Sequence, residues 1–512
     1  MLSKAATAVK AGWHWQLAAL IAGAVTTFSL APFNIWPLAI VSLAVLAFIL
    51  QGKNTAQMVA ACYLFAYGMF ISGIHWLVVP LSQYSPIPLP VAIIIVMVGT
   101  AGGVAIFFLL PSYLFARWCA KHPLCIWLGL PALWVVTEWL RTWLFTGFPW
   151  LFLGYGHLNT WLAGWAPVTG VFGLSFIISI SASTIVFCWF NRQKKLLAGG
   201  AASLCIALWI GGFLLKQINW TENYAEPVNV GLAQANIPQL RKWDEDFRQP
   251  TLDRFYALTN ELWDNDWIIW PEAAIPLYLN YWEHADLLNP LIDDLRKQAI
   301  KNNAAFISGI LTISDGKAYN SLFATGLGAG IYYKRRLVPF GEYVPLQQYL
   351  GGLLSLFKIQ GSQISMGPDN QRGLQIGNAM LSPAICYEIV YPDLVGKSAI
   401  DSNILITVSN DAWFGKSIAP YQHMQMARMR ALETGRYLIR GTNDGVSALV
   451  DDRGNIIVKT ERHVMAAIEG EVELRQGSTP FMLWGSEPIV FLCLLTLGIL
   501  GFLQHKKLRH TK

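Results

Sequence analysis

The sequence predicts a polytopic α-helical membrane domain of about eight spans, together with one large extracytoplasmic α/β domain. The chain has 512 residues, of which 54% are hydrophobic and only 13% are charged, whereas a soluble protein carries about 25% charged residues. Long apolar runs fill the chain before residue 216 and after residue 484. Between them, a long polar stretch alternates short β-type runs with helical patterns, which is typical of an α/β domain.

Eight apolar runs are candidate membrane spans, because a span needs about 20 mostly apolar residues. The second run is short enough for a re-entrant segment. The first follows Lys4 and Lys10, as a signal peptide would, but it lacks a small-residue cleavage site, so we expect an uncleaved anchor. The candidates are Trp13–Leu30, Ile35–Leu50, Val59–Val79, Val91–Leu114, Leu124–Phe145, Val168–Phe190, Leu196–Leu215 and Trp484–Leu503.

The charges in the loops predict the orientation. The short loops at 31–34, 80–90 and 146–160 hold no Lys or Arg. Positively charged loops stay in the cytoplasm, so we expect both termini there and residues 217–483 on the opposite side. This predicts spans one to seven in 1–216, the extracytoplasmic domain in 217–483, and the last span with a basic tail in 484–512. The basic loops hold Lys53, Arg117, Lys121, Arg192, Lys194, Lys195, Lys506, Lys507 and Arg509.

The polar stretch has the patterns of strands and helices. Helical patterns occur near 287–302 and 418–437, and residues 451–454, Asp-Asp-Arg-Gly, indicate a hairpin turn. Strands that alternate with helices predict an α/β domain. The β-type runs are Val228–Ala233, Trp267–Trp270, Ala305–Ile310, Met380–Ile385 and Asn403–Val408.

Among seven cysteines, Cys386 alone lies in the polar stretch. The other six lie in or beside apolar runs and are interpreted as small hydrophobic side chains, so no disulfide framework is expected. No Cys/His spacing indicates zinc, and no Gly-rich loop indicates a nucleotide. We therefore predict no metal and no cofactor. The net charge of +6 forms no basic patch of the kind that binds nucleic acid.

Two charged segments each follow a β-type run. Glu272 ends Trp-Ile-Ile-Trp-Pro-Glu and is either a solvated loop carboxylate or a general base held at a strand end. Lys334 begins a basic trio in a segment that also holds Glu342. A lysine in a site can stabilise a developing oxyanion, whereas Arg335 and Arg336 are interpreted as a solvated face.

The third segment, Leu-Ser-Pro-Ala-Ile-Cys-Tyr-Glu, ends an apolar run at Cys386 and continues with Tyr387 and Glu388. A lone cysteine is more often structural, but this is where a turn after a strand would present a nucleophile. A nearby positive charge or base makes such a cysteine reactive, and the N–H after it is a candidate oxyanion donor. No spacing rule brings Glu272, Lys334 and Cys386 together.

The order of these three residues resembles the Glu-Lys-Cys triad of the nitrilase superfamily. Over essentially its full length, the chain also resembles the bacterial apolipoprotein N-acyltransferase family. The further motifs that carry this resemblance are Leu-Phe-Thr-Gly-Phe-Pro-Trp at 144–150, Lys-Trp-Asp-Glu at 242–245, Ser-Asn-Asp-Ala-Trp-Phe-Gly at 409–415 and Gln-Met-Ala-Arg-Met-Arg-Ala-Leu-Glu at 425–433.

The resemblance implies a nitrilase-like αββα sandwich and an acyltransferase of the bacterial inner membrane. The acyl donor would be a phospholipid, typically phosphatidylethanolamine. The acceptor would be the N-terminal diacylglyceryl-cysteine amine of a lipoprotein, in the last step of its maturation. Cys386 would be the nucleophile, Glu272 the general base, Lys334 the group that stabilises the tetrahedral intermediate, and Glu342 the residue that orients the lysine.

Further residues are candidates for contact with substrate. By resemblance, Trp243, Tyr387 and Glu388 would shape the pocket or its entrance. Trp413 and Phe414 either line an acyl pocket or pack in the core. The apolar stretch at 343–358 is either a buried helix or a mobile arm that gates the site, with a hinge at Gly351 and Gly352.

Glu138 and Arg141 are charges inside the fifth predicted span, one helical turn apart. Such charges indicate function by default, although they also suit a structural pair that shapes the substrate entrance.

Three other hypotheses for the function of the chain remain. A tethered amidase of the same superfamily would not need many spans. A transporter would show paired repeats and broken helices, and a binding module leaves the triad unexplained.

Overall fold

The computed structural model describes residues 13–119, 124–343 and 364–510. It separates into two compact units. The helical unit comprises residues 1–78, 88–218 and 484–512, and the sandwich unit comprises residues 79–87 and 219–483. Apart from Tyr343, the predicted arm at 343–358 lies outside the described residues.

Within the described residues, each of the eight predicted spans overlaps an apolar helix. Five of these helices are long and apolar enough to cross a membrane: Thr55–Gly73, Leu89–Trp118, Trp161–Phe190, Lys195–Leu215 and Glu487–Lys506. Three others are shorter: His14–Thr26, Pro37–Leu50 and Cys125–Leu140. At 1.5 Å per residue these three reach only about 20–24 Å, less than the hydrocarbon thickness of about 30 Å. The count of eight complete spans stays a prediction.

Glu138 and Arg141 hold a loop of the helical unit. Both side chains are fully buried. Glu138 Oε1 accepts hydrogen bonds from Trp134 Nε1 at 2.9 Å and from the Leu153 backbone N–H at 3.0 Å. Arg141 donates to the Trp150 carbonyl at 2.9 Å. These hydrogen bonds fix residues 150–153 against the helix at Leu130–Leu140, which is a structural role for both charges.

The sandwich unit contains two seven-stranded sheets. The strands are β1 Glu222–Asn223, β2 Val228–Gln234, β3 Trp267–Ile269, β4 Ile275–Leu279, β5 Ala305–Ser314, β6 Lys317–Gly326, β7 Gly328–Ala329, β8 Ile331–Tyr333, β9 Leu374–Ile376, β10 Ala379–Ile385, β11 Ile404–Ser409, β12 Leu438–Thr442, β13 Ala448–Val450, β14 Ile456–Lys459, β15 Ala466–Val472 and β16 Arg475–Gln476. The first sheet has the order β15-β2-β3-β5-β6-β8, with β4 paired to β5, and the second has the order β14-β13-β12-β11-β10-β9-β7. β10, β11 and β12 run parallel to one another, so their carboxyl ends lie at one sheet edge.

Two layers of helices complete the sandwich. They are α1 Glu245–Asn260, α2 Ala285–Lys301, α3 Pro392–Ala399 and α4 Ala419–Thr434. One buried apolar cluster joins side chains of both sheets, such as Ile269 and Ile406. A second joins the outer face of the first sheet to α1 and α2. α3 contacts β10 and α4 contacts β12 of the second sheet. The layers are therefore α, β, β and α, as in a nitrilase-like sandwich.

The apolar runs located these strands well. All five predicted runs overlap strands: β2, β3, β5, β10 and β11. The predicted turn at 451–454 connects β13 to β14, and Gly454 adopts a φ of 77°, which glycine accepts without a steric cost.

Candidate active site

Glu272, Lys334 and Cys386 each lie in the segment directly after a strand. Glu272 follows β3, and the next residue, Ala273, has a φ of 45°. Gly309 on β5 lets this loop pack tightly, because a Cβ there would lie 2.7 Å from the Glu272 Cα. Lys334 follows β8 and Cys386 follows β10. Attachment to strands of the two sheets limits how far these side chains can move.

The Glu272 carboxylate is buried and accepts hydrogen bonds on both oxygens. Oε1 lies 2.7 Å from Asn320 Nδ2 and 3.4 Å from Lys334 Nζ, and Oε2 accepts from the Asn410 backbone N–H at 2.8 Å. Burial alone would raise the pKa of Glu272, but Lys334 and these donors lower it below its ordinary value. A carboxylate has about four lone-pair positions. Three donors leave one position for a proton.

Lys334 joins two carboxylates. Its Nζ lies 2.8 Å from Glu342 Oε1, and the Lys334 side chain is 1% exposed. Burial would lower the pKa of Lys334, but Glu342 and Glu272 together raise it above its ordinary value. Glu342 also accepts from Asn320 at 3.1 Å and from the Val338 backbone N–H at 2.8 Å. The lysine is thus a fixed positive charge.

Cys386 lies at a sharp turn with a φ of 52°, which is uncommon for a residue with a side chain. Burial raises the pKa of its thiol, the Glu272 charge raises it further, and Lys334 opposes that rise. The resting thiol is therefore protonated. It needs a base to become a nucleophile, and Glu272 is the ionised carboxylate that acts electrostatically on it.

The structure brings together the three predicted reactive side chains and Glu342. We call Glu272, Asn320, Lys334 and Glu342 the reactive cluster. Together with a cysteine at a turn, this set matches the chemistry of acyl transfer, in which a base activates the sulfur and a cation stabilises the oxyanion.

The Glu388 side chain supports the turn at Cys386 through hydrogen bonds to the main chain. Its carboxylate is 0% exposed and accepts hydrogen bonds from Tyr332 OH at 3.1 Å and from the backbone N–H groups of Arg335 at 2.6 Å and Ile385 at 2.8 Å. It ties the strand before Cys386 to the segment after Lys334. Glu388 therefore fixes the backbone beside Cys386, and its role in shaping the pocket or its entrance stays a prediction.

The aromatic candidates differ in exposure. Tyr387 is buried, and its ring packs edge-on against Tyr391 at 5.4 Å. Trp243 is 45% exposed and Trp413 is 42% exposed, and Phe414 is half-buried. The Trp413 ring lies 5.3 Å from that of Tyr84. Of the five substrate-binding candidates, the two tryptophans therefore present the most surface.

Sequence reasoning missed two residues that contact Glu272. Asn320 lies inside β6, where nothing in the alternation of that strand distinguishes it. Lys242 is buried, and its Nζ donates to the Glu272 carbonyl at 3.1 Å. Burial lowers the pKa of Lys242 to about 8. Lys242 begins the motif Lys-Trp-Asp-Glu at 242–245, in which only the tryptophan was predicted as a site residue.

Both units match known families. Residues 22–184 match the apolipoprotein N-acyltransferase N-terminal domain, and residues 229–476 match the carbon-nitrogen hydrolase family. The first match lies within the helical unit apart from residues 79–87, and the second lies within the sandwich unit.

Curated relatives match nearly the whole chain. An apolipoprotein N-acyltransferase of Pseudomonas aeruginosa is 40% identical over 502 residues, with 96% of each chain covered. One of Vibrio parahaemolyticus is 35% identical over 505 residues, covering 96% of this chain and 97% of the relative. A solved structure of a CN-hydrolase superfamily protein from Xanthomonas campestris is 19% identical and has a TM-score of 0.37, covering 49% of this chain and 91% of that chain.

Proposed function

Because this chain belongs to the apolipoprotein N-acyltransferase family, and so N-acylates lipoproteins, we propose that it does so through an acyl thioester on Cys386. The observation that carries this mechanism is the reactive cluster beside the Cys386 turn. An ionised, buried Glu272 faces a protonated thiol, with a fixed lysine charge held by a second carboxylate.

In the first half-reaction, Glu272 takes the thiol proton while the Cys386 sulfur attacks the ester carbonyl of a phospholipid. Lys334 and the Tyr387 backbone N–H stabilise the oxyanion. The carbon–oxygen bond then breaks, and Glu272 returns the proton to the leaving alkoxide. The lysophospholipid leaves and the acyl thioester remains.

In the second half-reaction, the amine of the lipoprotein attacks the thioester. Glu272 takes a proton from the amine nitrogen, the carbon–sulfur bond breaks, and the proton returns to the thiolate. The donor in this proposal is phosphatidylethanolamine, and the acceptor is the diacylglyceryl-cysteine amine. Glu342 orients the lysine, Trp413 and Phe414 line the acyl pocket, and Trp243, Tyr387 and Glu388 shape the pocket or its entrance.

The proposed location is the bacterial inner membrane, with the sandwich unit on the periplasmic side and both termini in the cytoplasm. The alternation of basic and uncharged loops supports this orientation. Both substrates are anchored in lipid, which explains why a nitrilase-like domain needs a membrane region of about eight spans. The membrane domain would comprise residues 1–216 and 484–512. A tethered amidase is not favoured, since the curated relatives are named as acyltransferases.

The test is the intact mass of the purified protein after incubation with phosphatidylethanolamine. We expect a gain of one acyl chain on the wild type, removable by hydroxylamine, and no gain on Cys386→Ala. Cys205→Ala, which removes a half-buried thiol of the helical unit, is the matched control and should acylate normally. An acyl adduct on Cys386→Ala, or no adduct on the wild type, would contradict the mechanism.

A further inference from the structure

The main chain at Cys386 is held from a second side, by residues that the mechanism above does not use. His423 on α4 is 1% exposed, and its Nε2 lies 3.1 Å from the Cys386 carbonyl oxygen. Since a carbonyl only accepts hydrogen bonds, His423 Nε2 carries the hydrogen and donates it. The histidine thus bonds to the residue whose left-handed backbone conformation is disfavoured for a side-chain-bearing residue.

Two charged side chains fix this histidine. Arg440 Nη2 on β12 lies 3.0 Å from His423 Nδ1 and 3.0 Å from Asp411 Oδ2. Asp411 Oδ1 also lies 3.3 Å from His423 Nδ1. Because Arg440 is the nearer partner and only donates, we assign the acceptor role to Nδ1 and the hydrogen of the neutral ring to Nε2. We call Asp411, His423 and Arg440 the clamp. Its three members come from three different elements, which makes the position of the ring rigid.

Burial and the Arg440 charge lower the pKa of His423, in agreement with the neutral ring. Asp411 is further held by Ser409, whose hydroxyl donates to Oδ1 at 2.7 Å. The Ser409 hydroxyl has only one hydrogen to donate. It donates this hydrogen to Asp411 and not to the Cys386 sulfur, because the charged carboxylate is the stronger acceptor. The Cys386 sulfur lies 3.4 Å from the same hydroxyl oxygen, so the clamp also borders the nucleophile.

The carbonyl of Cys386 and the N–H of Tyr387 belong to one planar peptide group and point in opposite directions. A hydrogen bond that fixes the carbonyl therefore also fixes the direction of the N–H. We propose that His423 is a positioning residue that aims the Tyr387 N–H at the oxyanion formed during acyl transfer. This inference rests on the proposed function, because only an acyl-transfer reaction forms that oxyanion.

The test compares two reactions of the same sulfur. Acylation by phosphatidylethanolamine passes through an oxyanion, whereas alkylation by iodoacetamide displaces iodide and forms none. In His423→Leu we expect single-turnover acylation to slow by about 10–100-fold, somewhat less than the loss of an oxyanion donor itself. Alkylation at Cys386, followed by peptide mass mapping, should keep the wild-type rate. His423→Gln retains an N–H donor at nearly the position of Nε2 and should recover most of the acylation rate.

Met424→Leu, a buried change at the neighbouring position of α4, is the matched control and should leave both rates unchanged. The inference is overturned if His423→Leu slows both reactions equally, if it slows neither, or if His423→Gln acylates no faster than His423→Leu. A wild type that forms no thioester would instead reject the proposed function. The two failures are therefore distinguishable.

Discussion

The reactive cluster and the clamp are two buried groups of charged residues that act on the same cysteine in different ways. In the reactive cluster, the Glu272 and Glu342 side chains are 9% and 16% exposed, and the Lys334 side chain donates to both carboxylates. In the clamp, exposure does not exceed 2%, and the chain of hydrogen bonds ends on a main-chain carbonyl. In the proposed mechanism, the two carboxylates next to the transferred proton are thus slightly more exposed than the residues that position the backbone.

Replacement of the base should have the largest effect. Glu272→Gln removes the group that takes the thiol proton and should lower the rate of acylation about 10²–10⁴-fold. Because the resting thiol is protonated and Glu272 takes its proton, the same variant should also alkylate more slowly with iodoacetamide near neutral pH, and the alkylation rate should recover as pH rises. Parallel rate measurements check both effects. A Glu272→Gln variant that acylates at nearly the wild-type rate, or whose alkylation stays slow at high pH, would show that Glu272 does not act as the base.

Replacement of the cation should come next. Lys334→Met leaves two carboxylates around Asn320 without a counter-charge, and should lower the acylation rate about 10²–10³-fold through loss of oxyanion stabilisation. Breaking a buried ion pair should also cost about 3–5 kcal/mol of unfolding free energy. Acylation assays and thermal unfolding in detergent measure the two losses. Lys334→Arg is the control that keeps the charge, and a Lys334→Met variant with near-normal acylation would rule out this role.

Two glycines offer a matched pair for the two groups. A Cβ at Gly309 would lie 2.6 Å from the Pro271 carbonyl oxygen, beside Glu272, and a Cβ at Gly445 would lie 2.8 Å from the Asp411 Cγ. Each substitution by Ala should cost about 1–3 kcal/mol of unfolding free energy, as overpacking does. We expect Gly309→Ala to slow acylation and alkylation of Cys386 differently from Gly445→Ala. The first displaces the base and should slow both reactions, acylation by about tenfold, while the second should slow only acylation, through the clamp. Identical rate profiles would remove the distinction between the two groups.

The smallest effect should be a pH dependence of stability at Asp444. Burial and the Asp411 charge raise the pKa of Asp444 to about 7, against the opposing charges of Arg462 and Lys242. The folded state then holds a proton that the unfolded state releases near pH 3.8, the ordinary value. Stability contributed by this group is therefore full below that value, and falls as pH rises to about 7.

Asp444→Asn removes this titration. Relative to the wild type, the variant should gain about 2–3 kcal/mol of unfolding free energy between about pH 5 and pH 8. Thermal unfolding of both proteins at these two pH values measures the difference. An equal difference at both values would show that Asp444 is ionised in the folded protein throughout.

The sequence predicted the reactive cluster better than the clamp, for physical reasons. Glu272, Lys334 and Cys386 each interrupt or follow an apolar run, which is a visible signal at a strand end. Their convergence in space came from the resemblance to a known family, because no spacing rule brings together residues 52 and 62 positions apart.

The clamp gave weaker signals. His423 lies inside α4 among polar residues that are buried in the structure, so periodicity did not separate its inner face. Arg440 interrupts the apolar run Leu-Ile-Arg-Gly-Thr of β12, and its complete burial depends on the Asp411 partner from β11's carboxyl end. The Arg440–Asp411 ion pair forms only when β11 and β12 are paired in register, so the sequence around either residue alone does not indicate it.

In the helical unit, the sequence located the helices but did not predict where they end. Apolar runs located a helix at each predicted span, but run length overstated helix length at His14–Thr26 and Pro37–Leu50. The first run extends beyond its helix through the turn Thr27–Ser29, in which Thr27 and Ser29 are buried in protein. Hydropathy measures burial in protein and in lipid alike, and so cannot assign the ends of a span.

The central claim is that the acyl group passes through Cys386, and a chase experiment tests it most directly. The wild type is acylated with labelled phosphatidylethanolamine, freed of phospholipid, and mixed with a diacylated lipopeptide that has a free N-terminal amine. The account predicts that the label moves to the lipopeptide amine while the mass of the enzyme returns to its starting value. Label that stays on the protein, or moves only when phospholipid is added again, would contradict the covalent mechanism.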